Sequence, residues 1–175
     1  MITPEQEKWL EHLSDDDHVK IYLFDPCSRE IFEKIKKQIQ SGLGENIEVV
    51  HRGATALGIS GQGELDVYIP VSEHDFNSVT ILVEKLFGKP KSFYLLERAR
   101  FVTSVDNTKV EVFVINNKSK SWLDGIKFEE YLRNNPEALD AYKKLKESGD
   151  GLSTRKYYRR KIEFINSILK YGGFR

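Results

Sequence analysis

Apolar positions along this chain alternate between helical and extended spacing, and the changes of period mark its elements. Residues 4 to 13 set Trp9, Leu10 and Leu13 on one face behind Pro4, which predicts a short amphipathic helix with proline in its first turn. "IYLFDP" (Ile21 to Pro26) ends at a proline. "SREIFEKIKKQIQSGLG" then carries Ile31, Phe32, Ile35 and Ile39 at helical spacing, with Ser28 as candidate N-cap and Gly42 or Gly44 as stop. "IEVVH" (Ile47 to His51) is β-branched, and "ELDVYIPV" (Glu64 to Val71) alternates and then turns wholly apolar, which predicts two strands flanking a glycine-rich run. "HDFNSVTILVEKLFG" reads as a second core helix stopped at Gly88, and "RARFVTSV" and "TKVEVFVI" as strands joined by the turn pair Asp106-Asn107. From Trp122 onward the spacing is helical, with Pro136 opening "PEALDAYKKLKES", a break at "GDGLST", and a last helix through "RKYYRRKIEFINSILK".

These elements predict an α+β protein: a mixed sheet with helices on one side and a carboxy-terminal helical segment forming the far wall of a cleft. The chain has 175 residues, enough for one compact unit. Within it, residues 1–118 are expected to form the α/β core and residues 119–175 the helical segment packed on it. The 27 basic and 27 acidic side chains cancel, so no global field draws the protein to nucleic acid or an anionic membrane. Cys27 is the only cysteine and has no internal disulfide partner. The start "MITPEQEKWL" lacks the order of a secretory signal, and the most apolar run, "VEVFVI" (Val110 to Ile115), is too short to span a bilayer. The expectation is a soluble cytoplasmic protein with no membrane partner.

The chemistry concentrates in "HRGATALGISGQGELDVYIP" (His51 to Pro70), where Gly53, Gly58, Gly61 and Gly63 precede two acids flanking one leucine. On a strand, Glu64 and Asp66 point to one face while Leu65 and Val67 enter the core. Paired carboxylates of this kind hold the two Mg²⁺ ions, about 3.5–4 Å apart, that neutralise phosphate charge in nucleotidyl transfer. Glu111, between Val110 and Val112, is the acid embedded in a later strand and would complete the set. Small residues let backbone N–H groups approach phosphate, so Gly53, Ala54 and Thr55 are candidates to hold a triphosphate. Arg52, beside them, is read either as a phosphate partner or as a surface charge.

The spacing of Gly53-Ala54, nine residues, then Glu64-Leu65-Asp66 resembles the signature of the polymerase-β-like nucleotidyltransferase superfamily. A longer stretch, roughly residues 21 to 168, is similar to the GrpB family within it: "LFDPCSREIFEKI", "HRGATALGIS", "ELDVYI", "FEEYLRNNPEALDAYKKLKE" and "YYRRKIEFI" each have family counterparts. Ala54 stands where that family has a serine, and Gln62-Gly63 where it has Lys-Pro. The superfamily spacing pairs Glu64 with Asp66, whereas the family register makes Asp66 the first acid and Tyr68 the second position. The resemblance implies a nucleotidyltransferase-like fold and Mg²⁺-dependent transfer of a nucleoside monophosphate from an NTP to an unidentified acceptor. The alternative is a nucleotide or phospho-ligand binding module that has lost the chemistry.

Other features have plainer readings. His51 is read as a strand-end histidine bonded to backbone rather than a metal ligand, and four scattered histidines do not make a zinc site. "RKYYRRK" (Arg155 to Lys161) gathers five cations around two tyrosines and is either a solvated helix face or a substrate contact, with Lys161 the favoured residue because the family tail also carries a lysine there. Arg98 and Arg100 are read as lining the same cleft or as forming ordinary ion pairs.

Overall fold

A computed structural model describes residues 1–172. The chain divides into two compact units. One gathers residues up to Leu23, Ser60–Gln62 and the chain from Asp124 onward; the other gathers Phe24–Ile59 and Gly63–Leu123.

The second unit is built on a five-stranded sheet. Its strands are β1 (Val50–Arg52), β2 (Glu64–Val71), β3 (Ser92–Tyr94), β4 (Arg98–Val105) and β5 (Thr108–Asn116), in the order β1-β2-β5-β4-β3. β2 and β5 run parallel, and the other neighbours pair antiparallel. The helices α2 (Ser28–Leu43) and α4 (Phe76–Phe87) bury Ile31, Phe32, Ile35, Ile39, Phe76, Val79 and Val83 in one cluster with Leu65, Val67, Ile69, Val110, Val112 and Val114. Each such side chain is worth about 1.5–3 kcal/mol when taken fully from water. β2 therefore alternates, with Leu65, Val67 and Ile69 fully buried beneath Glu64, Asp66 and Tyr68 on the other face. β5 lies between β2 and β4 and is buried on both faces from Val110 to Asn116, as a central strand should be. No helix among the described residues is long and apolar enough to cross a membrane.

The other unit is helical. It contains α1 (Pro4–Glu11), most of α5 (Lys120–Asn134), α6 (Pro136–Glu147) and α7 (Thr154–Tyr171). Thr3 and Gln6 cap α1 reciprocally, Thr3 Oγ1 accepting from the Gln6 N–H at 3.3 Å and Gln6 Oε1 from the Thr3 N–H at 2.9 Å. α1 lies against α7, and Phe128, Tyr142 and Phe164 meet ring to ring.

Several local expectations are corrected. The first strand is Val50–Arg52 rather than Ile47 to His51, because its pairing with β2 begins only at Val50 opposite Tyr68. Ser28 is not the cap of α2. It is the first helical residue and its hydroxyl donates to the Asp25 carbonyl at 2.6 Å, while Asp25 Oδ1 accepts from the Cys27 N–H at 2.9 Å. The glycine-rich run is not all loop: Gly53–Leu57 coils into one short helix, α3, closed by Gly58 in the left-handed region at φ +70°. β3 had no expected counterpart.

Candidate functional site

Register alone sets three acids side by side. On the parallel pair β2–β5, Glu64 lies opposite Lys109 and Asp66 opposite Glu111. Glu64, Asp66 and Glu111 each offer a carboxylate oxygen, and the three oxygens lie within 4.8 Å of one another. Glu111 is buried and the other two are half-buried. Three hard, anionic oxygens suit a hard divalent cation. Oxygens sharing one Mg²⁺ at 2.0–2.1 Å lie at most about 4.2 Å apart, so the donor set fits after a sub-ångström closure of its side chains.

Gly53 shapes the edge of this cluster. It opens α3 at φ +78°, and a β-carbon built on it would run into Oδ2 of Asp66. Asp66 thus lies against bare backbone, where only glycine leaves room. Beside it, Arg52 pairs with Asp66 across β1–β2 and is buried, its guanidinium 5.4 Å from the Tyr68 ring and 4.8 Å from that of Trp122. The surface-charge reading of Arg52 is therefore wrong: the residue is 7% exposed and lies over two aromatic faces. Tyr68 in turn stacks on Phe113 at 4.6 Å.

Two cations already engage the acids. Lys109 Nζ donates to Glu64 Oε2 at 2.7 Å and lies 2.8 Å from Glu111 Oε1. Arg100 donates to the same Glu111 oxygen at 2.8 Å. Burial pulls the Lys109 ammonium down, but its hydrogen bonds to Glu111 and Glu64, and their charges, outweigh this and hold its pKa above the ordinary lysine value. Arg100 therefore takes the ion-pair role of its two readings, with a candidate metal ligand as partner. Lys109 was not singled out from sequence, although a lysine two residues before Glu111 on a strand must share its face.

The remaining candidates separate. Ala54 and Thr55 lie on α3, and the Thr55 hydroxyl is hydrogen-bonded to His51 Nε2 at 2.8 Å. His51 thus bonds a side chain rather than only backbone, and its ring stacks on Phe32 at 4.8 Å. His51 and Thr55 line a cleft of about 450 Å³ with Phe24, Arg29, Phe32 and Glu33. Because His51 and Arg52 are neighbours on a strand, their side chains leave by opposite faces, and the cleft opens on the α2 side. Arg98 lies 5.3 Å from the Tyr94 ring. Lys161 lies on α7 in the helical unit, its ammonium 5.3 Å from the Tyr158 ring. Two of the five cations in "RKYYRRK" are structural: Arg155 and Arg159 bind the α1 region.

The sheet order and its flanking helices define an α+β protein built on a five-stranded mixed sheet. The chain belongs to the GrpB family, whose sequence pattern, described as GrpB protein, matches residues 18–171. In fold it is similar to the crystal structure of the conserved protein GrpB from Enterococcus faecalis, with a TM-score of 0.66 and 21% identity over 86% of this chain and 97% of that one. No curated protein matches the sequence.

Proposed function

We propose that this chain is a divalent-cation-dependent nucleotidyltransferase, moving a nucleoside monophosphate from an NTP to an acceptor hydroxyl or similar nucleophile with release of pyrophosphate. One observation carries the reading: three carboxylate oxygens from two parallel strands, within 4.8 Å of one another, at the edge of a glycine turn. In the reaction the acceptor oxygen forms a bond to the α-phosphorus, the bond from that phosphorus to the bridging oxygen of the β-phosphate breaks, and the acceptor proton leaves to solvent. Mg²⁺ supplies charge neutralisation of the phosphates when bound. Asp66 and Glu64 would hold it, and Glu111 would complete the donor set. Gly53, Ala54 and Thr55 offer backbone N–H groups to phosphate, since the Thr55 hydroxyl is engaged with His51. Arg52 positions Asp66 from the neighbouring strand.

A second reading, a nucleotide or phospho-ligand module without transfer chemistry, is favoured by one observation: Lys109 and Arg100 already hold oxygens of Glu64 and Glu111. Calorimetric titration with a non-hydrolysable ATP analogue, with and without Mg²⁺, on the wild type and on Asp66→Asn separates them. The transferase reading expects binding that requires both Mg²⁺ and Asp66. Binding indifferent to both favours the module, and absence of binding removes both readings.

A further inference from the structure

The cleft on the α2 side of the sheet has no part in the transfer chemistry. Its volume of about 450 Å³ is in the range of sites that hold small molecules. Its walls are largely ring and alkyl surface. Phe32 stacks on His51 at 4.8 Å with the two rings 13° from parallel, the 2.8 Å bond from His51 Nε2 to the Thr55 hydroxyl holds that ring in place, Leu57 comes from α3, and Phe24, 39% exposed, adds a third ring. Two charges line the same cleft. Arg29 and Glu33 are four residues apart on α2 and so share a face of the helix; both are exposed, and among the described residues no ion pair joins them or takes up either one. Arginine ahead of glutamate is the weaker order for a pair one helical turn apart, which leaves both charges to meet an occupant. A ligand with only a carboxylate would face Glu33, and one with only an amine would face Arg29, each at the cost of like-charge contact.

We propose that this cleft binds a free aromatic α-amino acid, its carboxylate on Arg29, its ammonium on Glu33 and its ring against Phe24, Phe32 and Leu57. A free α-amino acid carries both charges on one carbon, and a guanidinium takes a carboxylate with two parallel N–H donors. A residue inside a polypeptide has neither charge, so the head group selects the free form. Rings are favoured over alkyl side chains because edge and offset contacts between rings add to what burial alone gives. The inference does not rest on the transferase reading, in which none of Phe24, Arg29, Phe32, Glu33 and Leu57 takes part.

The test is titration of the isotope-labelled full chain with L-phenylalanine, followed by backbone amide chemical shifts, beside three controls: L-leucine, 3-phenylpropionate, which lacks the ammonium, and phenethylamine, which lacks the carboxylate. L-phenylalanine is expected to bind with a Kd of about 1 mM, as suits a small ligand in an open cleft, and to shift amides of α3 and of the first turns of α2. L-leucine is expected to bind about threefold more weakly, and each one-charge analogue about tenfold more weakly. Arg29→Ala should weaken L-phenylalanine about tenfold without weakening phenethylamine, and Glu33→Ala should weaken it about tenfold without weakening 3-phenylpropionate. Both positions are exposed, so neither variant removes core packing. The inference is overturned by no saturable shift with L-phenylalanine, by any control that binds as tightly as L-phenylalanine, or by unchanged affinity in either variant. None of these outcomes bears on nucleotide binding, which the ATP-analogue titration reads separately.

Discussion

The carboxylate of Asp66 lies where the side chain of any residue other than glycine at position 53 would begin. Two demands meet at Gly53: a left-handed backbone at φ +78°, and a bare α-carbon facing an acid on the neighbouring strand. Gly58, five residues on, has a similar φ of +70° but open space around it. The pair therefore separates backbone strain from intrusion on the acid.

Gly58→Ala is expected to cost about 1–2 kcal/mol, the penalty of a left-handed L-residue, and to leave cation binding unchanged. Gly53→Ala carries the same strain and also displaces the Asp66 carboxylate. Urea denaturation and Mn²⁺ titration of both variants check this. Loss of Mn²⁺ binding in Gly53→Ala alone is the expected result; equal binding in the two variants would show that Asp66 does not depend on the bare backbone.

The β4–β5 hairpin makes a separate prediction. Asp106 and Asn107 both have positive φ, +49° and +64°, between the paired residues Val105 and Thr108. This two-residue turn needs left-handed residues at both positions. Asn107→Gly is expected to hold or raise stability by up to about 0.5 kcal/mol, and Asn107→Val to lower it by about 1–2 kcal/mol. Chemical denaturation midpoints read both, and a Val variant as stable as wild type would refute the turn assignment.

How far the site could be read from sequence depends on the range of each interaction. Glu64, Asp66 and Glu111 were legible because period-2 alternation with buried Leu65, Val67, Val110 and Val112 fixes their face wherever the strands pair. α3 was not, since the five residues Gly53–Leu57 are too few to show a helical period. Lys109 drew no reading from sequence, and its contact with Glu64 appears only once the two lie opposite in register. The engagement of Arg155 and Arg159 on α7 was hidden for the same reason: their partners are about 140 to 150 residues away in sequence, beyond any local pattern.

Arg155 is the strongest case of a cation that looks available and is not. Its Nε and Nη groups donate to the Leu10 and Leu13 carbonyls at 3.2, 3.1 and 2.7 Å, to the Glu11 carbonyl at 3.3 Å, and to the Asp15 carboxylate. A planar fork of donors gathers the carbonyls at the carboxy-terminal end of α1 and just beyond it, and lysine cannot reproduce it. Arg155→Lys and Arg155→Ala are both expected to lose about 1–3 kcal/mol. The exposed neighbour Arg160, replaced by Ala, should stay within about 0.5 kcal/mol of wild type. Equal and small effects at the two positions would return Arg155 to the solvated face.

Arg159 and Glu7 give the fold a pH dependence whose sign can be worked out. Arg159 donates to both Glu7 oxygens at 2.6 Å, and this bond, with the guanidinium charge, holds the Glu7 carboxyl below its ordinary value of 4.5. A carboxylate with a lowered folded-state pKa binds fewer protons folded than unfolded, so it stabilises the fold above the ordinary glutamate range. That contribution is lost as pH falls below 4.5 and through the lowered value. The pair is solvent-exposed, so its contribution is screened by salt. Melting temperatures of wild type and Glu7→Gln should therefore differ most near pH 7 at low ionic strength. The two curves should converge as pH drops from 5 to 3, because protonated Glu7 and glutamine carry the same charge. A gap that stayed constant across this range, or widened toward acid, would mean that the carboxylate of Glu7 does not lend its charge to the contact between α1 and α7.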